Sequence, residues 1–230
     1  MRREPFVAAV AMLLAGAAPA AAAERGFAVA GFDRVENASW VDVRIHTGAA
    51  ASVRATGDQA VLDRLTVEVR DGVLRVGTQP ESRWRWSWHA PTIVFVTVPM
   101  VRGLALTGSG NVSVDSVRTR AFDATLGGSG TIRIGAVQAD RVALALGGSG
   151  DLIAAGRAGR ATLALNGSGN LRAGGLTAAD AAITLTGSGD VAATATRAAQ
   201  VSLTGSGSAT VTGGARCAIV RRGSGDVRCG

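Results

Sequence analysis

The sequence predicts an all-β protein: a single-stranded right-handed β-helix (β-solenoid) whose coils of about twenty residues turn at a Gly-Ser-Gly corner. Three observations carry this. The triplet occurs seven times, beginning at Gly108, Gly128, Gly148, Gly167, Gly187, Gly205 and Gly223, in steps of 20, 20, 19, 20, 18 and 18 residues. Apolar residues beside it alternate with a period of two, which is the strand period. Two residues before each of the first six triplets stand Leu106, Leu126, Leu146, Leu165, Leu185 and Leu203. Finally, glycine at this density excludes a helical repeat, since each would cost about 1 kcal/mol inside a helix.

Residues 1–23 read as a secretory signal peptide. Arg2 and Arg3 open it, an apolar run from Phe6 to Ala18 follows, and Ala21-Ala22-Ala23 forms a small-residue cleavage site. The run is too short for a stable membrane anchor, and no later segment approaches ~18 consecutive apolar residues. Export to the periplasm, or secretion to the cell surface, is therefore expected, with no transmembrane segment in the mature chain. Without Arg2, Arg3 and Glu4, the chain's 24 basic and 17 acidic residues become 22 and 16, a net charge of +6. Every basic residue is Arg. Such a surface suits an anionic partner, or is simply a solvated Arg-rich exterior. The charges are scattered rather than clustered, so nucleic acid is not expected.

The mature chain, 24–230, is expected to be one domain. Residues 24–103 form irregular N-terminal coils and a cap. Val41, Val43 and Ile45 alternate there, as do Leu65, Val67 and Val69; Leu74 and Val76 follow the Asp71-Gly72 turn. "RWRWSW" is the least repeat-like stretch, with Trp84, Trp86 and Trp88 on one face of a strand and Arg83 and Arg85 on the other. It reads either as an aromatic platform for sugar or lipid headgroups, flanked by Arg83 and Arg85, or as a patch that closes the core.

Residues 104–230 carry the seven repeats. Each GSG is read as a sharp corner at φ > 0, which glycine tolerates. Ser109, Ser129, Ser149, Ser168, Ser188, Ser206 and Ser224 then stack as a structural turn ladder whose hydroxyls bond to neighbouring coils or local backbone. Cys217 and Cys229, an even count in an exported chain, form a disulfide that locks the last coil. Cys229 falls in the ladder of Val114 and Ile134, so its side chain is expected to point inward.

Chemistry is hard to place on this pattern. The third glycine of a dinucleotide fingerprint is missing after Gly110, where Ser113 stands, and a P-loop needs a Lys that the chain lacks. "GGSGD" at Gly147–Asp151 approaches a calcium nonapeptide, but a carboxylate follows only three triplets (Asp151, Asp190, Asp226). His46 and His89 precede the repeats, and the candidate acids Asp115, Asp123 and Asp140 do not align in adjacent coils. No catalytic, cofactor or metal residue is therefore assigned, and no cofactor is expected.

The string "WVDVRIHTG…SVRATGD", "LDRLTVEVRDGVLRV", "TIVFVTVPMVRGLALTGSGNVSV" and the later GSG repeats resembles the head GIN domain family (DUF2807, the auto-transporter adhesin head domain). The resemblance spans about 27–230. It implies a β-helix-like fold in an envelope or secreted protein, and little chemistry. The expectation is a non-catalytic, adhesin-like binding or structural module whose partner is an envelope glycan, a lipid headgroup or a protein. The alternatives are a polysaccharide-active enzyme on the same scaffold and a calcium-stabilised adhesive repeat.

Overall fold

The structure is a computed structural model and describes residues 23–79 and 91–230. Its elements are β1 (Ala23–Phe27), β2 (Arg34–Asn37), β3 (Asp42–Thr47), β4 (Ser52–Gly57), α1 (Gln59–Arg64), β5 (Leu65–Arg70), β6 (Val73–Thr78), β7 (Ile93–Val98) and β8 (Gly103–Leu106). They continue as β9 (Asn111–Leu126), β10 (Thr131–Leu146), β11 (Asp151–Gly167), β12 (Asn170–Gly187), β13 (Asp190–Gly205), β14 (Ser208–Thr212), β15 (Arg216–Arg222) and β16 (Asp226–Cys229). The strands wind into a β-solenoid of about six turns.

From β9 to β13 each strand runs along a whole coil and pairs in parallel with the coils on either side. The register joins Leu106, Leu126, Leu146, Leu165, Leu185 and Leu203 into one column. All six are at most 2% exposed. Alternation thus produces the core directly: every second side chain enters a narrow lumen, and burying each contributes roughly 1.5–3 kcal/mol.

The glycines answer to a different demand from the one the sequence suggests. Positive φ occurs at the first glycine of only the last four triplets, Gly167, Gly187, Gly205 and Gly223. What holds for both glycines in the stacked triplets is close approach. A Cβ on Gly128 would lie 2.0 Å from the Gly108 carbonyl oxygen, and one on Gly130 would lie 1.8 Å from that of Gly110. The same overlap repeats on each later coil. The second glycine also leaves room for the leucine one coil earlier, so a Cβ on Gly189 would meet Leu165 Cδ2 at 2.9 Å.

Period variation is absorbed at the corner opposite the triplets. The 19-residue step appears as a register shift between Ile134 and Val137 against β11, and further shifts follow at Ile153/Ala155 and Ala173/Thr177. The leucine column stays in register throughout, so these β-bulges leave the GSG edge straight.

The two ends are closed differently. At the N-terminal end β1 and β7 flank β4 in antiparallel pairs, and β5 and β6 form a hairpin. Asp71 and Gly72 turn that hairpin at φ 53° and 74°, as a two-residue turn requires. Helix α1, which the strand pattern does not announce, starts where the Asp58 carboxylate accepts from Ala60 N–H and buries Val61 and Leu62. At the C-terminal end the leucine column stops at Arg221, whose guanidinium donates to the Gly225 carbonyl. Cys229 does occupy its predicted column, paired with Val211, but in this last described coil its side chain is exposed. Its disulfide to Cys217 ties β15 to β16 across that open end.

Two outcomes test this account. Gly130→Ala is expected to destabilise the protein by about 1–3 kcal/mol through overpacking against backbone, while Ser129→Ala, on the exposed side of the same corner, stays within ~0.5 kcal/mol. Denaturant titration measures both. Reducing Cys217–Cys229 is expected to lower stability by roughly 3 kcal/mol. Hydrogen exchange should quicken in β15 and β16 and stay unchanged in β9 to β11.

Candidate functional site

Stacking the triplets places the seven corner serines on one exposed edge. The hydrogen bond recorded between two of them joins Ser206 and Ser224, at 3.1 Å between hydroxyls. The residue after each triplet forms a second column: Asn111, Thr131, Asp151, Asn170, Asp190, Ser208 and Asp226. Amide and carboxylate neighbours satisfy one another there. Asn111 donates to Asp42 at 2.9 Å, and Asn170 donates to Asp151 at 2.9 Å. Arg172 and Arg228 pair with Asp151 and Asp226. Among the described residues no group of three His, Cys, Asp or Glu side chains gathers to hold a metal ion.

Two of the acids singled out for catalysis, Asp115 and Asp123, have structural partners. Asp123 takes a two-pronged contact from the Arg34 guanidinium at 2.9 and 3.0 Å, tying the first coil to β9. Asp115 receives the Thr47 N–H and hydroxyl at 3.1 and 2.9 Å and the Ser116 N–H at 2.5 Å. His46 Nδ1 closes on its other oxygen. Burial pushes the Asp115 carboxyl up, but the hydrogen bonds from Thr47 and Ser116 and the His46 charge outweigh it. Its pKa therefore lies below the ordinary 3.8. Asp180 is likewise held low, chiefly by its hydrogen bond from Arg197. Asp140, exposed on β10, is separate from both Asp115 and Asp123. Asp115, Asp123 and Asp180 are acids that clamp coils together.

One corner escapes the triplet pattern in the sequence. Asn37 to Val41, in "ENASWV", lies beside Gly108–Gly110: Thr107 N–H and Gly108 N–H donate to the Asn37 carbonyl, and Gly110 N–H to that of Ser39. Asn37 is fully buried, donating to the Val41 carbonyl while its side-chain oxygen accepts from Ser39 N–H and Oγ. Side chains here do what bare glycines do in later coils. Trp40 stands at this corner, 47% exposed. Arg83, Trp84, Arg85, Trp86 and Trp88, together with His89, lie outside the described residues, as do residues 1–22. The strands that flank the tryptophan stretch in sequence are β6 and β7, which pair with β2 and β3 on either side of the Asn37–Val41 corner.

The family model described as "Putative auto-transporter adhesin, head GIN domain" (DUF2807) matches residues 31–215. The chain belongs to this family. Solved structures share the GIN fold. A "putative adhesin" from Bacteroides fragilis superposes with a TM-score of 0.84 at 21% identity, over 90% of this chain and 96% of that one. A "putative lipid binding protein" from Parabacteroides distasonis gives 0.73 at 19% identity, over 92% and 98%. A "putative adhesin" from Parabacteroides merdae gives 0.71 at 16% identity, over 92% and 97%. No curated protein matches the sequence. Among the described residues of this GIN domain no helix is long and apolar enough to cross a membrane.

The lowered carboxyl of Asp115 fixes a pH response. A depressed folded-state pKa gives stability that is present above the unfolded value and lost as pH falls through the folded one. Asp115→Asn should therefore unfold more easily than the native domain at pH 7. The gap between them should narrow as pH falls from about 4 through the lowered folded-state value, below which both carry a neutral group. Thermal melts across that range measure it.

Proposed function

We propose that this GIN domain is a non-catalytic binding module of the bacterial envelope, exported by cleavage after Ala23 and acting as the single domain 24–230. The observation that carries this is the commitment of two of the three candidate acids: Asp115 and Asp123 are spent on joining coils, which leaves Asp140 without a second free carboxylate among them. A glycoside-cleaving site needs two free carboxylates facing one bond. What the fold offers instead is long exposed ladders repeated at about 4.8 Å per coil, a geometry suited to extended ligands. The family's adhesin description and the disulfide agree with a working place outside the cytoplasm. The segment with Arg83, Trp84, Arg85, Trp86 and Trp88, next in sequence to the strands beside Trp40, is the proposed aromatic contact surface.

Glycan and lipid arrays probed with residues 24–230 test this reading, lipid probes being included because one similar structure is named for lipid binding. Selective retention on a probe class, reduced by joint Trp84, Trp86 and Trp88→Ala substitution, is expected. Equal retention by that variant would remove the aromatic surface from the proposal. Release of new reducing ends from polysaccharides incubated with the protein would overturn the non-catalytic assignment.

A further inference from the structure

The corner opposite the GSG edge, where the coil period varies, carries an open groove across successive coils. It measures about 500 Å³ between Ser116, Arg118, Val137, Gln138, Arg157 and Thr177. A second hollow of about 450 Å³, beside Thr47 and Met100, shares Ser116 and Arg118 with it, so the depression continues toward the N-terminal coils. A third, of about 290 Å³, adds Arg120 and Asp140 on one side.

Sequence explains why a groove forms here. Gly156 has φ 129°, and a Cβ there would stand 2.2 Å from the Val137 carbonyl oxygen. It falls in the column of Val117, Val137 and Leu176, and supplies no side chain to it. Gly175 adds a second bare position to the lining. The register shifts on β10, β11 and β12 fall at this corner, and bulges of this kind re-aim neighbouring side chains.

Register sets the chemistry along the groove. Arg118, Gln138, Arg157 and Thr177 are in line on consecutive coils, all four exposed. The two guanidinium groups are therefore two coils apart, roughly 9–10 Å along the axis, with a neutral hydrogen-bonding side chain between and after them. Among the described residues no hydrogen bond or ion pair occupies Arg118, Arg120 or Arg157, whereas the nearby Arg160 and Arg197 share Asp180. Free guanidinium pairs with fixed spacing are ready to take carboxylates or sulfates by two-pronged hydrogen bonds.

We propose that this groove binds an acidic polysaccharide laid along the solenoid axis, with anionic groups on Arg118 and Arg157 and sugar hydroxyls on Gln138 and Thr177. It rests on the reading of the domain as a binding module and names the ligand class. A membrane surface fits less well, because no large exposed apolar side chain lines the groove; Ile219 and Val220 belong to the far C-terminal strand β15. A nucleic acid strand would want aromatic platforms for its bases, and the lining has none.

Calorimetry of residues 24–230 with hyaluronan and polygalacturonate fragments decides it, with neutral dextran and phosphatidylglycerol–phosphatidylcholine vesicles alongside. Binding to at least one acidic polymer and none to dextran is expected, weakening as salt screens the charges. Joint Arg118→Ala and Arg157→Ala substitution should weaken binding by at least ~10-fold, and joint Arg133→Ala and Arg141→Ala substitution, an equal charge loss outside the lining, by less than ~2-fold. Thermal melts of the variants should match the parent, since none of these side chains is buried or paired. Equal losses from the groove and off-groove variants, no affinity for either polymer, or tighter binding to vesicles than to polymer would each overturn the proposal. Retention of another array ligand with no affinity for acidic polymers would sink this inference alone, whereas polymer cleavage would sink the binding-module reading beneath it.

Discussion

The structure depends on one steric constraint: at the GSG edge the backbone of each coil rests on the carbonyl oxygens of the coil before it. A side chain at Gly130 would need space 1.8 Å from Gly110 O, where no carbon can go. Glycine is therefore required by the neighbour in the stack more than by its own backbone angles. The constraint propagates, because each glycine is both the crowded residue and the crowding carbonyl for the next coil. It also holds the hydrophobic column in place. Leu165 can fill the lumen below Gly189 because Gly189 has no Cβ. Corner and core are then one arrangement, and an alteration at either is felt by the other.

Much of this was legible in the sequence, because a solenoid writes its contacts locally. A period of two with a step near twenty names both the inward face and the coil that each residue meets. The columns through Leu106, Val112 and Leu104 all follow from counting from the triplet. The reason for the glycines was less legible. A turn at φ > 0 and a turn with no space for Cβ ask for the same residue, and only the stack tells them apart. At Gly108, Gly128 and Gly148 the second reason acts without the first.

Where repetition fails, the sequence is quieter. "ENASW" has no glycine, yet Asn37 and Ser39 build a corner beside the first triplet through three buried hydrogen bonds of 2.7–3.0 Å. Nothing in composition distinguishes that Asn from a surface one. Helix α1 is six residues long, and its two buried positions, Val61 and Leu62, are too few to establish a helical period. Asp115 and Asp123 were visible as acids but not as clamps, since their partners Thr47 and Arg34 lie 68 and 89 residues away.

The same logic separates the two edges of the solenoid by role. At the GSG edge both glycines of the triplet are fixed by stacking, so a change there made to suit a ligand would cost the fold. The opposite corner is where coils of 18, 19 and 20 residues differ, and the sheet accepts those differences as bulges without disturbing the leucine column. Side chains there answer to solvent and ligand rather than to the lumen. Arg118 and Arg157 can thus change without cost to the core, while Gly156, next to Arg157 on the same coil, is held by the Val137 carbonyl. A rigid edge and a tolerant one on the same coil let the scaffold stay constant while its recognition surface varies.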